Sequence, residues 1–182
     1  MSEDQLSGPS EFKHLVRADR LPAKPIVLTA NETERSALAE RFGLPAISTL
    51  EANVALEPDG PAIKAKGRVT ASFEQLCAVT QEPFVNSLDE QVDLIFVPET
   101  ADHGPVSDEE IELEEADLDT IPFAGRSFDL GEQIAQTLGL AIDPYAEGPD
   151  ADAVRQKAGI TGDDEQTTSG PLAEALATLK KG

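Results

Sequence analysis

The chain has 182 residues, 40% hydrophobic but only 4% aromatic and without Trp, which suits one domain with appendages and leaves little for a second core. Fourteen Lys and Arg stand against thirty-five Asp and Glu, a formal charge of 14 − 35 = −21 that repels phosphate backbones globally and attracts basic partners. One cysteine, Cys77, excludes an internal disulfide and a thiolate-rich metal cage, and no apolar run approaches the ~20 residues that cross a bilayer.

Residues 1–10 are polar and expected to be flexible, and they lack the basic start and apolar stretch of a signal peptide, so a cytoplasmic protein is expected. Short strands are expected between Phe12 and Leu21 and over Pro25–Thr29, the second rich in β-branched residues. A helix follows over about 32–42. Asn31 can cap it, Glu34 sits three residues later as the capping-box partner, and Gly43 stands where it should stop.

The middle of the chain alternates with period two over three successive segments. Leu50, Ala52, Val54 and Leu56 interleave with Glu51, Asn53 and Ala55. After the turn residues Pro58-Asp59-Gly60-Pro61, a second segment places Ile63, Ala65, Gly67, Val69, Ala71 and Phe73 between Lys64, Lys66, Arg68, Thr70 and Ser72. The third runs through Leu88, Val92, Leu94 and Phe96. Such alternation predicts an antiparallel meander with one buried face, built largely from residues 47–114.

Residues 108–119 are densely acidic, with Ile111 and Leu113 between glutamates as a short edge strand. Asp129 and Glu132 then open a helix whose stripe Leu130, Ile134, Leu138 is expected to end at Gly139. Residues 146–170, rich in Gly, Asp, Ala, Thr and Ser, read as an acidic mobile linker with at most a helical turn around Val154. Pro171 and the stripe Leu172, Leu176, Leu179 predict a C-terminal amphipathic helix over 171–182. The expected fold class is therefore α+β. It comprises a single domain over 11–145, with an antiparallel, curled or barrel-like sheet and two or three short helices.

No catalytic constellation is visible. The EF-hand pattern, a Gly-rich phosphate loop and a Gly-x-Ser-x-Gly elbow are all missing, and neither His14 nor His103 is spaced to activate Cys77. No cofactor or metal ligand set is assigned. Two surfaces remain. The acidic segment Glu109, Glu110, Glu112, Glu114, Glu115 suits a basic partner, against the bland reading of a solvated face. Lys64, Lys66 and Arg68 fall at alternate strand positions and form a positive row suited to local RNA contact, unless cross-strand acids such as Glu51 or Asp89 neutralise it.

A sequence of loose motifs carries a resemblance. The strand Ile63–Ala71 leads into Cys77-Ala-Val-Thr-Gln-Glu-Pro-Phe84, and Leu94-Ile-Phe-Val-Pro98 precedes the acidic segment. Then come Ser127-Phe-Asp-Leu-Gly-Glu-Gln-Ile134, Leu138-Gly-Leu-Ala-Ile-Asp-Pro144 and the closing Pro171–Lys180. In this order, from about residue 50 onward, the chain resembles the YceD family of bacterial and plastid proteins linked to accumulation of large-subunit ribosomal RNA. Many members carry Cys-x-x-Cys before the Pro-Phe pair and further cysteines later, a zinc-like pattern. Here Thr80 takes the second place and 141–152 contains no cysteine, so no structural zinc is expected. The resemblance implies a non-enzymatic role in large-subunit assembly, and the charge favours contact with a basic ribosomal protein or assembly factor. The alternatives are local RNA contact through Lys64, Lys66 and Arg68, an enzyme with a divalent metal held by the carboxylates of 108–119, and an interaction domain unrelated to ribosomes.

Overall fold

The computed structural model describes residues 11–99 and 120–159. They divide into two compact units, one formed by 11–75, 85–99 and 120–144, the other by 76–84 and 145–159. The acidic segment and the C-terminal helix expected from sequence lie outside the described residues.

In the first unit, strands β1 (Leu15–Arg17) and β2 (Ile26–Thr29) precede helix α1 (Glu32–Phe42), which starts and stops where its caps require. Asn31 Oδ1 accepts from the Glu34 amide, Glu34 reaches back to the Asn31 amide, and Gly43 closes the helix at φ +66°. Three long strands follow: β3 (Ala46–Asp59), β4 (Ala62–Leu76) and β5 (Pro83–Pro98). Asp59 pairs with Ala62, so the β3–β4 turn holds only Gly60 and Pro61, and Gly60 supplies the positive φ of +60° at its first position.

The predicted alternation holds residue by residue. Leu50, Ala52, Val54 and Leu56 of β3 and Ile63, Ala65, Val69, Ala71 and Phe73 of β4 are all buried. A bulge between Ile47 and Thr49 shifts the register at the start of β3. Strand β6 (Thr120–Phe123) then pairs in parallel with the end of β5, from Ile95 opposite Thr120 to Pro98 opposite Phe123. The order β2-β3-β4-β5-β6 leaves two edges, so the sheet is open and not closed into a barrel. Strand β7 (Ser127–Asp129) instead pairs antiparallel with β1 as a separate two-stranded sheet.

Helix α2 (Leu130–Ala141) grows directly out of β7. Asp129 caps it by accepting from the Glu132 amide at 3.2 Å, and the same Oδ1 accepts from the His14 amide at 2.9 Å. Leu130, Ile134 and Leu138 are fully buried, as their stripe predicts. The helix does not stop at Gly139, however. A Cβ there would lie 2.8 Å from the Phe42 ring, so this glycine lets α1 and α2 approach, and the helix runs on to Ala141. Arg41 of α1 ties the same pair from outside through Glu132, at 2.9 Å, and Glu11, at 3.0 Å.

The core gathers the inner face of the sheet, Leu38 and Ala39 of α1, the α2 stripe, and Phe12, Val16 and Phe128. The second unit contains helix α3 (Ala151–Ala158), which occupies part of the stretch that sequence composition assigned to a linker. Asp152 in its first turn, Arg155 and Lys157 in its last, and Gly159 at φ +68° give it ordinary helix ends.

Candidate partner-binding surface

Lys64, Lys66 and Arg68 project from the exposed face of β4, as their spacing requires. Each has an acidic partner. Lys64 Nζ lies 2.7 Å from Asp59 at the hairpin turn, Lys66 Nζ lies 3.6 Å from Asp93, and Arg68 donates to Asp89 at 2.8 Å. The Asp59 carboxylate raises the Lys64 ammonium above its ordinary pKa, and desolvation opposes it only weakly. Sequence spacing anticipated Asp89. Glu51 stands opposite Thr70 instead, while Asp59 comes from the adjoining hairpin turn and Asp93 from β5.

These pairs are solvent-exposed, so each contributes only ~0–1 kcal/mol to stability, and salt screens it further. Their larger effect is on the field. Three cations matched by three carboxylates leave no positive row, and Glu51, Glu57 and Glu74 add further acid to the same face, whereas an unmatched row would attract phosphates. Asp89 and Asp93 thus convert the one basic stripe of the meander into a salt-bridged strand surface.

The acidic residues Glu109, Glu110, Glu112, Glu114 and Glu115 lie outside the described residues. Among the described residues, no group of three or more His, Cys, Asp or Glu side chains is arranged to hold a metal ion. Likewise no helix among them is long and apolar enough to cross a membrane.

Cys77 sits just beyond β4, in the second unit, where the chain turns back to β5. The Cys77 amide donates to Glu82 at 2.9 Å, the Gln81 amide donates to the Cys77 carbonyl at 2.9 Å, and Ala78 donates to Ala146 at 3.0 Å. Gln81 takes φ +59° to close this turn. The buried sulfur faces donors, not a base. The Thr80 amide approaches Sγ at 3.4 Å, and Gly148 and Phe84 pack closely against one another beside it.

Hydrogen bonding from Thr80, first its side chain and then its amide, together with the Gly148 amide, draws the thiol down to about 7. Thr80 therefore stands where the resemblance places a second cysteine, and it supplies hydrogen bonds to the first. Because the folded thiol is the stronger acid, the ultraviolet thiolate absorbance of the native chain, which needs no reagent to reach the buried sulfur, should rise with a midpoint near pH 7 and move upward in Thr80→Val. A midpoint at the ~8.5 of an ordinary cysteine would contradict these hydrogen bonds.

What sequence reasoning missed is a second set of cations. Arg17 and Arg20 near β1 and Arg126 before β7 are drawn together by the pairing of strands whose ends are 115 residues apart. No local periodicity marks them.

Against known proteins, a family model described as large ribosomal RNA subunit accumulation protein YceD matches residues 65–180, that is 116 of the 182. No curated protein and no solved structure matches the chain. The matched span takes in most of β4, the Cys77 turn, β5, β6, β7 and the three-turn helix α2, the same elements in the same order as the motifs read from sequence. The chain belongs to the YceD family, whose name ties it to the accumulation of large-subunit ribosomal RNA.

Proposed function

We propose that this chain is a non-catalytic accessory factor for large-subunit ribosomal RNA accumulation that works in the cytoplasm by contacting a basic ribosomal protein or assembly factor. One observation carries the reading: the charge is −21, and the cations on the central sheet are already matched by Asp59, Asp89 and Asp93. Excess carboxylate is then what the molecule offers a partner, most densely at Glu109, Glu110, Glu112, Glu114 and Glu115. Many ribosomal assembly partners must carry basic surfaces, because they neutralise RNA phosphates. An acidic protein can hold such a surface until RNA replaces it, and electrostatic complementarity speeds the encounter.

The ion pairs also weigh against RNA contact through Lys64, Lys66 and Arg68, since a phosphate there would have to displace three carboxylates. Immobilised chain exposed to purified ribosomal proteins, and separately to ribosomal RNA, tests the reading at low and moderate salt. Capture of basic ribosomal proteins that weakens with salt is expected. Capture of RNA and of no ribosomal protein would overturn it.

A further inference from the structure

The cations that sequence spacing singles out are matched, whereas two unmatched arginines, Arg20 and Arg126, stand at a corner of the first unit. Arg17 of β1 stands opposite Ser127 of β7, and the Ala18 amide donates to the Arg126 carbonyl at 2.9 Å. This carries Arg126 to the turn that holds Arg17, Asp19 and Arg20, which is itself closed by the Arg20 amide on the Arg17 carbonyl at 3.2 Å. Arg17 forks onto Asp19, Nε at 2.8 Å and Nη2 at 2.5 Å. That fork holds the Asp19 carboxyl below the usual carboxylate range, with Arg126 adding a smaller pull in the same direction.

With Arg17 and Asp19 occupied by one another, the Arg20 and Arg126 side chains are exposed and their guanidinium groups have no hydrogen-bond or salt-bridge partner among the described residues. Lys24 follows in the same exposed stretch. Residues 17–26 and 126 thus hold four cations against one carboxylate, within a chain that carries far more acid than base elsewhere.

Beside this turn lies an open groove of about 530 Å³ whose walls include Leu21, Pro58, Pro98 and Phe123. Asp19 is the one carboxylate among its lining residues and Arg126 the one cation. An apolar floor with a cationic lip fits the two halves of a nucleotide: the base lies against carbon and the phosphate meets guanidinium. The cations occupy one turn and not an extended stripe. That suits one or two phosphates of a single strand better than the many contacts with which duplexes are gripped.

We propose that this corner, Arg126 at the lip of the groove and Arg20 in the turn beside it, binds the sugar–phosphate backbone of single-stranded RNA. The proposal does not depend on the basic-partner reading.

Fluorescence anisotropy of a short mixed-sequence single-stranded oligoribonucleotide with the full chain at low salt tests the assignment. Arg20→Glu with Arg126→Glu should weaken binding on the order of tenfold, and should flatten the salt dependence by about 1.4, at ~0.7 per lost phosphate contact on a single strand. Arg20→Lys with Arg126→Lys should retain most of the affinity and controls for folding. The triple replacement of Lys64, Lys66 and Arg68 by Ala should stay within about twofold of the wild type, because those side chains are already paired. Wild-type chain that does not bind the oligoribonucleotide would overturn the proposal. So would affinity unchanged by the glutamate pair, equal loss in the Lys64, Lys66, Arg68 triple, or equal binding of duplex RNA. Capture of basic ribosomal proteins by the glutamate pair, measured in parallel, reports on the acidic surface alone, so failure of either idea is visible without the other.

Discussion

Gly67→Ala is expected to lower the unfolding free energy by about 3 kcal/mol, an unusually large cost for one methyl group. Gly67 sits in the middle of β4, paired with Val54 of β3 in a ladder that runs from Ala46 to Asp59. A Cβ there would lie 2.0 Å from the Asn53 carbonyl oxygen and 2.8 Å from the Val54 Cα. Both atoms are strand backbone, so no side chain can swing aside. Either the strands part and lose hydrogen bonds on both sides of the clash, or β4 bends and disturbs the buried Ala65 and Val69 beside it. Gly125→Ala is the informative comparison. It carries φ +76° but has open space where the Cβ would go, so only backbone strain of ~1 kcal/mol should appear. Urea unfolding measures both variants, and Gly67→Ala within ~0.5 kcal/mol of the wild type would contradict the close approach of β3 and β4.

Phe96→Ala should cost about 4 kcal/mol, through burial lost and a cavity that the surroundings cannot fill. Phe96 is 1% exposed and lies on β5 where β6 pairs with it. Its ring stacks on Phe128 of β7 with centroids 4.1 Å apart and planes 27° from parallel, and Phe123 of β6 leans on Phe128 at 5.5 Å. This cluster joins the five-stranded sheet to the two-stranded one, in a chain with few other aromatics to share the task. Adding Phe128→Ala to Phe96→Ala should reveal a coupling of ~1 kcal/mol, the part specific to the ring pair. Additive losses would show that the rings contribute area alone. A Phe96→Ala cost under ~1.5 kcal/mol would mean that the two sheets do not depend on this contact.

The features legible in sequence are those set within a few residues of one another. Period-two alternation located β3, β4 and β5 and their buried faces, because a strand's side chains must alternate. Asn31, Glu34 and Gly43 located α1, and Asp129 located the start of α2, because caps satisfy amides only a few residues away. Long-range pairing was not legible. The β1–β7 sheet joins strands from opposite ends of the unit, and the parallel β5–β6 pairing leaves no mark in either strand.

Gly139 misled for a related reason. Helix stops and helix-packing sites both favour glycine, and only the Phe42 ring distinguishes them. Over 146–159 the composition suggested a linker with a helical turn around Val154, and α3 forms at that point, with Arg155 gripping Glu147 and Ala151 buried. The candidate surfaces divide along the same line. Alternation placed Lys64, Lys66 and Arg68 on one face, but their neutralisation by Asp59 and Asp93, and the gathering of Arg20 with Arg126, are products of the fold.

Charge distribution therefore carries the functional account. The cations of the sheet surface are matched, one corner holds unmatched arginines, and the surplus acid is densest in sequence at 108–119. The most direct test compares capture of purified ribosomal proteins by the wild type and by a variant with Glu109, Glu110, Glu112, Glu114 and Glu115 all replaced by Gln. The wild type is expected to retain one or more basic ribosomal proteins at low salt, and the glutamine variant to lose most of that capture while unfolding at the same urea concentration. Equal capture by the two chains, or none by the wild type, would contradict the account.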